Sequence, residues 1–230
     1  LFLCVGDVLS AEIAQGRRKQ SSVGYTYSWD SRKTSLDDNE GLRFVVSQDF
    51  GGLGGDDTFV KSKAKMVAQT RILSDEITLR ATIAGGAVNF SGPGSRATDR
   101  WLFDEDIIRG FAPDGIGPRD YNAGANMNDA LGGNYFVSAK FEALFPLGLP
   151  EEYGITGGVF YDIGNVWGLD QVSSTPGVTH YESGSVRHVA GISVFWVTPI
   201  GPMRLNWSKA LEKEVQDKDQ SFEFTISTEF

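Results

Sequence analysis

Ser22-Val23-Gly24-Tyr25-Thr26-Tyr27-Ser28-Trp29-Asp30 is the stretch that decides the class of this chain. Val23, Tyr25, Tyr27 and Trp29 fall on one side, and Gly24, Thr26, Ser28 and Asp30 on the other. A period of two places successive side chains on opposite faces of an extended backbone, so this is a strand with one apolar and one polar face. The pattern recurs downstream. Leu42, Phe44 and Val46 oppose Arg43, Val45 and Ser47, less cleanly, and Val60, Ala64, Met66, Ala68 and Ile72 oppose Lys61, Lys63, Lys65 and Arg71. Ile77, Leu79, Ala81 and Ile83 oppose Glu76, Thr78, Arg80 and Thr82. After a long gap, Tyr135, Val137, Ala139, Phe141, Ala143 and Phe145 oppose Asn134, Ser138, Lys140 and Glu142. Further strands are expected at about 153–167, 187–198, 203–209 and 221–230, the last carrying Phe222, Phe224, Ile226 and Phe230 on its apolar side. That makes nine strands and no convincing amphipathic helix.

Composition narrows the function classes. Of 230 residues 40% are hydrophobic and 22% charged, which is neither a disordered nor a collagen-like chain. A net charge of −9 without a basic patch argues against nucleic acid as a partner. The lone Cys4 forms no internal disulfide and no cysteine zinc site. The longest run free of Asp, Glu, Lys and Arg is 188–203, which contains Pro199, Gly201 and Pro202. It falls short of the roughly 18 apolar residues a spanning helix needs. A mean hydropathy of −0.20 would ordinarily mean a soluble protein, but transmembrane barrels share that average because their strands alternate. Leu1-Phe2-Leu3-Cys4-Val5 has no methionine, basic region or small-residue cleavage site, so the chain is expected to begin partway through a longer protein.

Strand length and loop rhythm separate a membrane barrel from a soluble sandwich, whose core the same aromatics would also suit. Most of the expected strands are long enough for a tilted crossing, which takes about 9–11 residues. Short connections fall at Leu73-Ser74-Asp75, Leu149-Pro150-Glu151-Glu152 and Pro199-Ile200-Gly201-Pro202; long ones cover about 89–131, 168–186 and 210–220. Short turns on one side and long loops on the other are the outer-membrane arrangement, and Trp29, Trp167, Trp196, Trp207 and Phe230 suit its aromatic girdles. The short glycine-rich 51–55 connection falls on the long-loop side and weakens the rhythm slightly. The fold class expected is all-β: an antiparallel transmembrane barrel, present in part. Nine strands cannot close with antiparallel pairing throughout, so upstream strands are expected outside this chain.

Specific motifs sharpen the reading. Ile108-Arg109-Gly110-Phe111 lies in the longest loop and is followed by Gly115-Ile116-Gly117-Pro118-Arg119-Asp120. Then come Leu131-Gly132-Gly133-Asn134-Tyr135, Phe141-Glu142-Ala143-Leu144-Phe145-Pro146-Leu147 and Gly158-Val159-Phe160-Tyr161-Asp162-Ile163-Gly164-Asn165-Val166-Trp167. Gly191-Ile192-Ser193-Val194-Phe195-Trp196 leads into Thr198-Pro199-Ile200-Gly201-Pro202-Met203-Arg204. In this order and spacing the series resembles the carboxyl-terminal barrel of the outer-membrane insertases of the bacterial surface antigen family, of alphaproteobacterial type. The resemblance covers about residues 20–230 and leaves 1–19 unassigned, as the remnant of a preceding strand or loop.

It implies a sixteen-stranded barrel, of which this chain holds about strands eight to sixteen. It also implies a role in inserting β-barrel proteins into the bacterial outer membrane. A lateral gate at the last strand would template incoming strands by backbone pairing and thin the membrane locally, without cofactor or covalent chemistry. The implied partners are unfolded outer-membrane clients, outer-membrane lipids and lipopolysaccharide, and accessory lipoproteins docking mainly on periplasmic domains. A translocation-assembly paralogue, a two-partner secretion transporter and a passive porin are the alternatives.

Two sites follow. An isolated loop arginine is ordinarily solvated. Arg109, however, sits in a glycine-flanked loop and can meet a carboxylate bidentately, and Asp162 lies on the lumen side of its strand with Phe160 and Gly164. The resemblance implies the same docking, with Gly110 turning the tip and Phe111 anchoring it. Where relatives usually carry Gly-Gly upstream of this tip, the chain has Asp104 and Glu105 in Phe103-Asp104-Glu105-Asp106, a solvated acidic patch without the spacing of a calcium loop. The second site is the terminal strand with Phe222, Phe224, Ile226 and Phe230, which closes the barrel, serves as its gate, or both. The row Lys61, Lys63, Lys65, Arg71 and Arg80 would attract anionic solutes or, as we prefer, pair with Glu142 and Asp162. Enzyme readings are poor: His180 and His188 lack partners at ligand spacing, and Gly51-Gly52-Leu53-Gly54-Gly55 has no following helix to cradle a phosphate.

Overall fold

The computed structural model describes residues 6–32, 40–74, 76–92, 94–104, 107–122, 127–170, 172, 179–180, 184–198 and 201–226. In chain order the elements are α1 (Asp7–Ala14), β1 (Ser22–Asp30), β2 (Gly41–Gly51), β3 (Thr58–Ile72), β4 (Ile77–Ser91), β5 (Arg119–Asn122) and β6 (Met127–Ala130). They continue with β7 (Tyr135–Pro146), β8 (Ile155–Trp167), β9 (Thr179–His180), β10 (Arg187–Thr198), β11 (Gly201–Glu212) and β12 (Phe222–Ile226). The period-two stretches form one 9-stranded sheet in the order β1-β2-β3-β4-β7-β8-β10-β11-β12, each strand antiparallel to its neighbours and the sheet open at β1 and β12.

The sheet is inverted relative to a soluble one. In β3, β4, β7, β8 and β10 the apolar row is the exposed row, with Met66, Ile83, Val137, Val159 and Ile192 facing out. The opposite row buries Gln69, Thr82, Ser138, Glu142, Asp162 and Ser193. A sandwich would bury the first set, so its reading fails here, and the arrangement is that of a barrel wall with lipid outside and a polar lumen inside. The junctions of β1 with β2, β3 with β4, β7 with β8 and β10 with β11 fall at one end of the sheet; those of β2 with β3, β4 with β7, β8 with β10 and β11 with β12 fall at the other.

The core lies between the sheet and a loop. Phe103, Ile107, Ile108, Phe111 and Ile116 of the long connection pack against Ala84, Phe136, Phe160, Val166 and Val189 of the inward face. Burying an Ile108-sized side chain completely stabilises by about 1.5–3 kcal/mol, and several such residues hold the loop inside.

The structure departs from the sequence reading in three places. β11 runs Gly201–Glu212, longer than the 203–209 expected, because Trp207 and its successors keep pairing with β10. The long connection is not structureless: β5 pairs with β6 within it and with β9 of the 168–186 connection, making a small three-stranded sheet between two loops. The 1–19 segment is no strand remnant in its described part, since Asp7–Ala14 is an α-helix docked on the loops. Phe230 and Cys4 lie outside the described residues, as do Glu105 and Asp106.

Candidate functional site

The loop tip reaches the wall at Arg109. Its Nε and Nη2 donate to the two oxygens of Asp162 at 2.7 and 2.6 Å, and its backbone N–H donates to Asp162 Oδ2 at 3.0 Å. The guanidinium carbon lies 3.7 Å from the centroid of the Phe160 ring, a cation–π contact out of water. Gly110 follows at φ +84°, a left-handed conformation that turns the chain back, and a Cβ there would come 2.7 Å from Val189 Cγ1. Gly164 leaves room for Ile108, whose Cγ2 a Cβ would meet at 2.8 Å. Arg109 therefore meets Asp162 and Phe160 of the Phe-x-Asp-x-Gly strand, Ile108 meets its Gly164, and Gly110 packs on Val189 of β10. Phe111 packs edge-on against Phe103 of its own loop at 6.0 Å, within the buried cluster that also holds Phe136 and Phe160 of the wall.

Glu142 is the partner the sequence reading missed. Arg109 Nη1 donates to its Oε1 at 2.6 Å, so one guanidinium serves two buried carboxylates from adjacent strands. Arg204 Nη2 donates to the same oxygen, and Arg80 Nη1 lies 3.6 Å from Oε2. The network continues along β11: Arg204 Nε donates to Asn206 Oδ1 at 2.9 Å, and Asn206 Nδ2 donates to Glu223 Oε2 of β12 at 2.8 Å. A chain of hydrogen bonds thus runs from the loop tip to the last strand. Beside it a polar cleft of about 460 Å³ is lined by Lys65, Arg80, Lys140, Arg204 and Glu223, among others.

The lysine row takes a different part from the one expected. Of that row Arg80 reaches Glu142 as expected, whereas Asp162 is bonded by Arg109. Lys61 donates to the Asp99 carbonyl at 3.0 Å and lies 4.3 Å from the Trp101 ring centroid. Lys63 stands 5.7 and 5.9 Å from the rings of Trp101 and Phe136. These ammonium groups lie over aromatic faces, one of them Trp101 of the long loop, a placement that no strand pattern foretells. Asp104 is likewise used locally, its carbonyl and Oδ1 accepting from the Ile107 N–H at 3.0 and 3.2 Å.

The terminal strand shows Phe222, Phe224 and Ile226 outward, with Phe222 5.4 Å from the Trp207 ring. Its described pairing with β11 runs over Met203–Trp207. His188 faces outward too, between Tyr161 Oη at 2.7 Å and Glu212 Oε2 at 3.5 Å.

The N-terminal segment lies across the loop end of the sheet. Asp129 and Asp120 accept from the N–H groups of Gly6 and Val8 at 2.7 and 3.0 Å, placing carboxylates at the positive end of α1. Glu12 is held by Arg100 at 2.6 Å and by the Ala97 N–H at 2.9 Å. Arg18 forks onto Asp57, to which Gln20 also donates at 3.1 Å. Burial works against the charge on Asp57, but the hydrogen bonds from Arg18 and Gln20 outweigh it and hold the carboxyl below its ordinary range. Burial lowers the pKa of Arg119 in β5, partly offset by Asp217 and Asp114.

Comparison with known proteins places this arrangement. The Omp85 superfamily domain matches residues 7–230, so the match begins before the region that the motifs alone covered. The outer membrane protein assembly factor BamA of Neorickettsia risticii, an alphaproteobacterium, is 32% identical over 222 residues, 96% of this chain and 29% of that protein. A SAM50-like protein of Schizosaccharomyces pombe is 26% identical over 225 residues, covering 93% of this chain and 46% of its own length. In fold, the crystal structure of BamA from Haemophilus ducreyi lacking POTRA domains 1–3 superposes with a TM-score of 0.73 at 20% identity, over 88% of this chain and 41% of that one. The chain therefore spans less than half the length of each of these relatives. The expected resemblance and the barrel fold are borne out: with its inverted nine-stranded wall and inward loop, this chain belongs to the Omp85 superfamily.

Proposed function

We propose that this chain is the carboxyl-terminal barrel portion of a factor that assembles β-barrel proteins in the bacterial outer membrane. The observation that carries the reading is that relatives named as outer membrane protein assembly factors align over 96% and 94% of this chain. The geometry supports it. A loop tip seated in the lumen is bonded, through Glu142, Arg204 and Asn206, to the strand that closes one edge of the sheet. An edge with unpaired backbone groups is costly in lipid and offers a template to an incoming strand, so the work is done by backbone pairing and not by a covalent step. The outward Phe222, Phe224 and Ile226 meet lipid there, with lipopolysaccharide in the facing leaflet. Unfolded barrel proteins are the substrates, and accessory lipoproteins bind chiefly outside this chain.

The test is reconstitution of the intact gene product in liposomes with a urea-unfolded client barrel. We expect the client to gain protease-resistant, heat-modifiable barrel form at least about tenfold faster than in empty liposomes, an effect of about 1.4 kcal/mol on the barrier. Stable open conductance with no gain in client folding would identify a passive porin instead.

A further inference from the structure

The polar chain through Glu142 is one link between the loop tip and the last strand; a second runs through the backbone. The Ala112 N–H donates to the Lys218 carbonyl at 2.9 Å, the Lys218 N–H to the Gly115 carbonyl at 2.9 Å, and the Gln220 N–H to the Gly110 carbonyl at 3.0 Å. Phe111 and Asp219 form the bridge between them. Residues 213–221 thus lay a short antiparallel ribbon on the Arg-Gly-Phe tip and lead directly into β12. Gly115 permits the approach, since a Cβ there would stand 2.7 Å from the Lys218 oxygen.

This connection is itself fastened. Arg187, at the start of β10, donates from Nε and Nη2 to the two oxygens of Asp217 at 2.8 and 3.0 Å. Its Nη1 donates to Asn165 Oδ1 of β8 at 2.6 Å and to the Ser185 carbonyl at 2.7 Å. Asp217 Oδ2 also takes the Glu214 N–H at 2.8 Å. The side chains of Arg187 and Asp217 are 1% and 0% exposed. A buried bidentate pair with its remaining donors and acceptors satisfied fixes geometry tightly, and removing one member strands the other charge.

We propose that Arg187 and Asp217 are a latch: they position the 213–221 connection so that seating of Arg109 and placement of the closing strand form one cooperative unit. Neither residue touches the Arg109 cluster; they act through the ribbon. A client entering at β12 would then have to release the loop tip, and release of the tip would loosen β12. The gating role rests on the proposed function, whereas the coupling itself does not.

Reciprocity is the signature, because two sites that share one equilibrium must each bias the other. Amide hydrogen exchange, read by mass spectrometry on the intact gene product in phosphatidylcholine liposomes, tests it. Asp217→Asn should speed exchange at Ala112 as well as at Lys218 and Gln220, by about tenfold or more, while β7 and β8 keep their protection. Arg109→Ala should in turn speed exchange at Lys218 and Gln220. Gly115→Val, which touches neither ion pair, should do the same and serves if the Asp217 variant does not fold. Faster exchange confined to 213–221 in Asp217→Asn, or unchanged Lys218 and Gln220 in Arg109→Ala, would overturn the latch. Client folding measured on the same liposomes judges the assembly reading separately, since the exchange result holds whether or not insertion changes.

Discussion

Arg109 shows how much one side chain holds. Its fork satisfies both oxygens of Asp162, and the remaining nitrogen reaches Glu142. An ammonium cannot copy this: it is a point charge without a planar fork, so Arg109→Lys should keep the charge and still release one carboxylate. Arg109→Ala leaves two carboxylates without their shared guanidinium in the lumen wall, a loss of about 3–5 kcal/mol in loop seating. Asp162→Asn retains a hydrogen-bonding shape and should cost less, about 1.5–3 kcal/mol. Limited proteolysis within 94–118 orders the three variants: Arg109→Ala cut fastest, Arg109→Lys and Asp162→Asn between it and the parent. Equal resistance of Arg109→Ala and the parent would show that the apolar packing of Ile108 and Phe111 seats the loop unaided. Arg109 and Asp162 were legible in the sequence because each sits in a compact motif. Glu142 was visible only as one of several lumen acids, and Arg204 only as part of a turn motif, since their meeting depends on strand register.

At the scale of elements, legibility follows periodicity. The long strands alternate because one face meets lipid and the other the lumen, so their positions could be read directly. The helix Asp7–Ala14 could not. Eight residues are too few for an isolated helix, and its two buried positions, Val8 and Glu12, pair an apolar residue with a carboxylate that only Arg100 explains. β5, β6 and β9 were hidden for a similar reason, being short pairings fixed where two loops meet. What holds the N-terminal segment is chiefly electrostatic, which makes it sensitive to acid. Asp57 has its folded pKa depressed, so the stability it lends is present above the ordinary carboxylate range and is lost as pH falls through the depressed value. A spin label at an Ala11→Cys, Cys4→Ser variant should therefore report an immobile helix near neutrality and rising mobility only below about pH 4. Asp57→Asn should show raised mobility already at neutral pH. A label equally immobile in both proteins at all pH values would remove Asp57 from this role.

The whole molecule is a wall with a loop for a core. Its apolar rows are exposed, so in water it would present an aggregation surface, and its stability is defined only against a bilayer. The two faces must then respond oppositely to charge. Ile192 sits near the middle of β10, paired with Val159 on one side and Trp207 on the other, and is 55% exposed. Lys63 stands on the inward row, its ammonium already beside the rings of Trp101 and Phe136. Arginine at a lipid-facing mid-bilayer position costs about 2–4 kcal/mol, whereas a lumen substitution leaves lipid contacts untouched. Ile192→Arg should lower the urea midpoint of the liposome-embedded gene product by that amount, and Lys63→Gln should move it by less than about 1 kcal/mol. The same pair of substitutions in a soluble sandwich would leave Ile192→Arg nearly neutral, because an exposed side chain there already faces water. An unshifted midpoint for Ile192→Arg would thus reject the lipid-facing assignment of this row, and with it the orientation of the sheet.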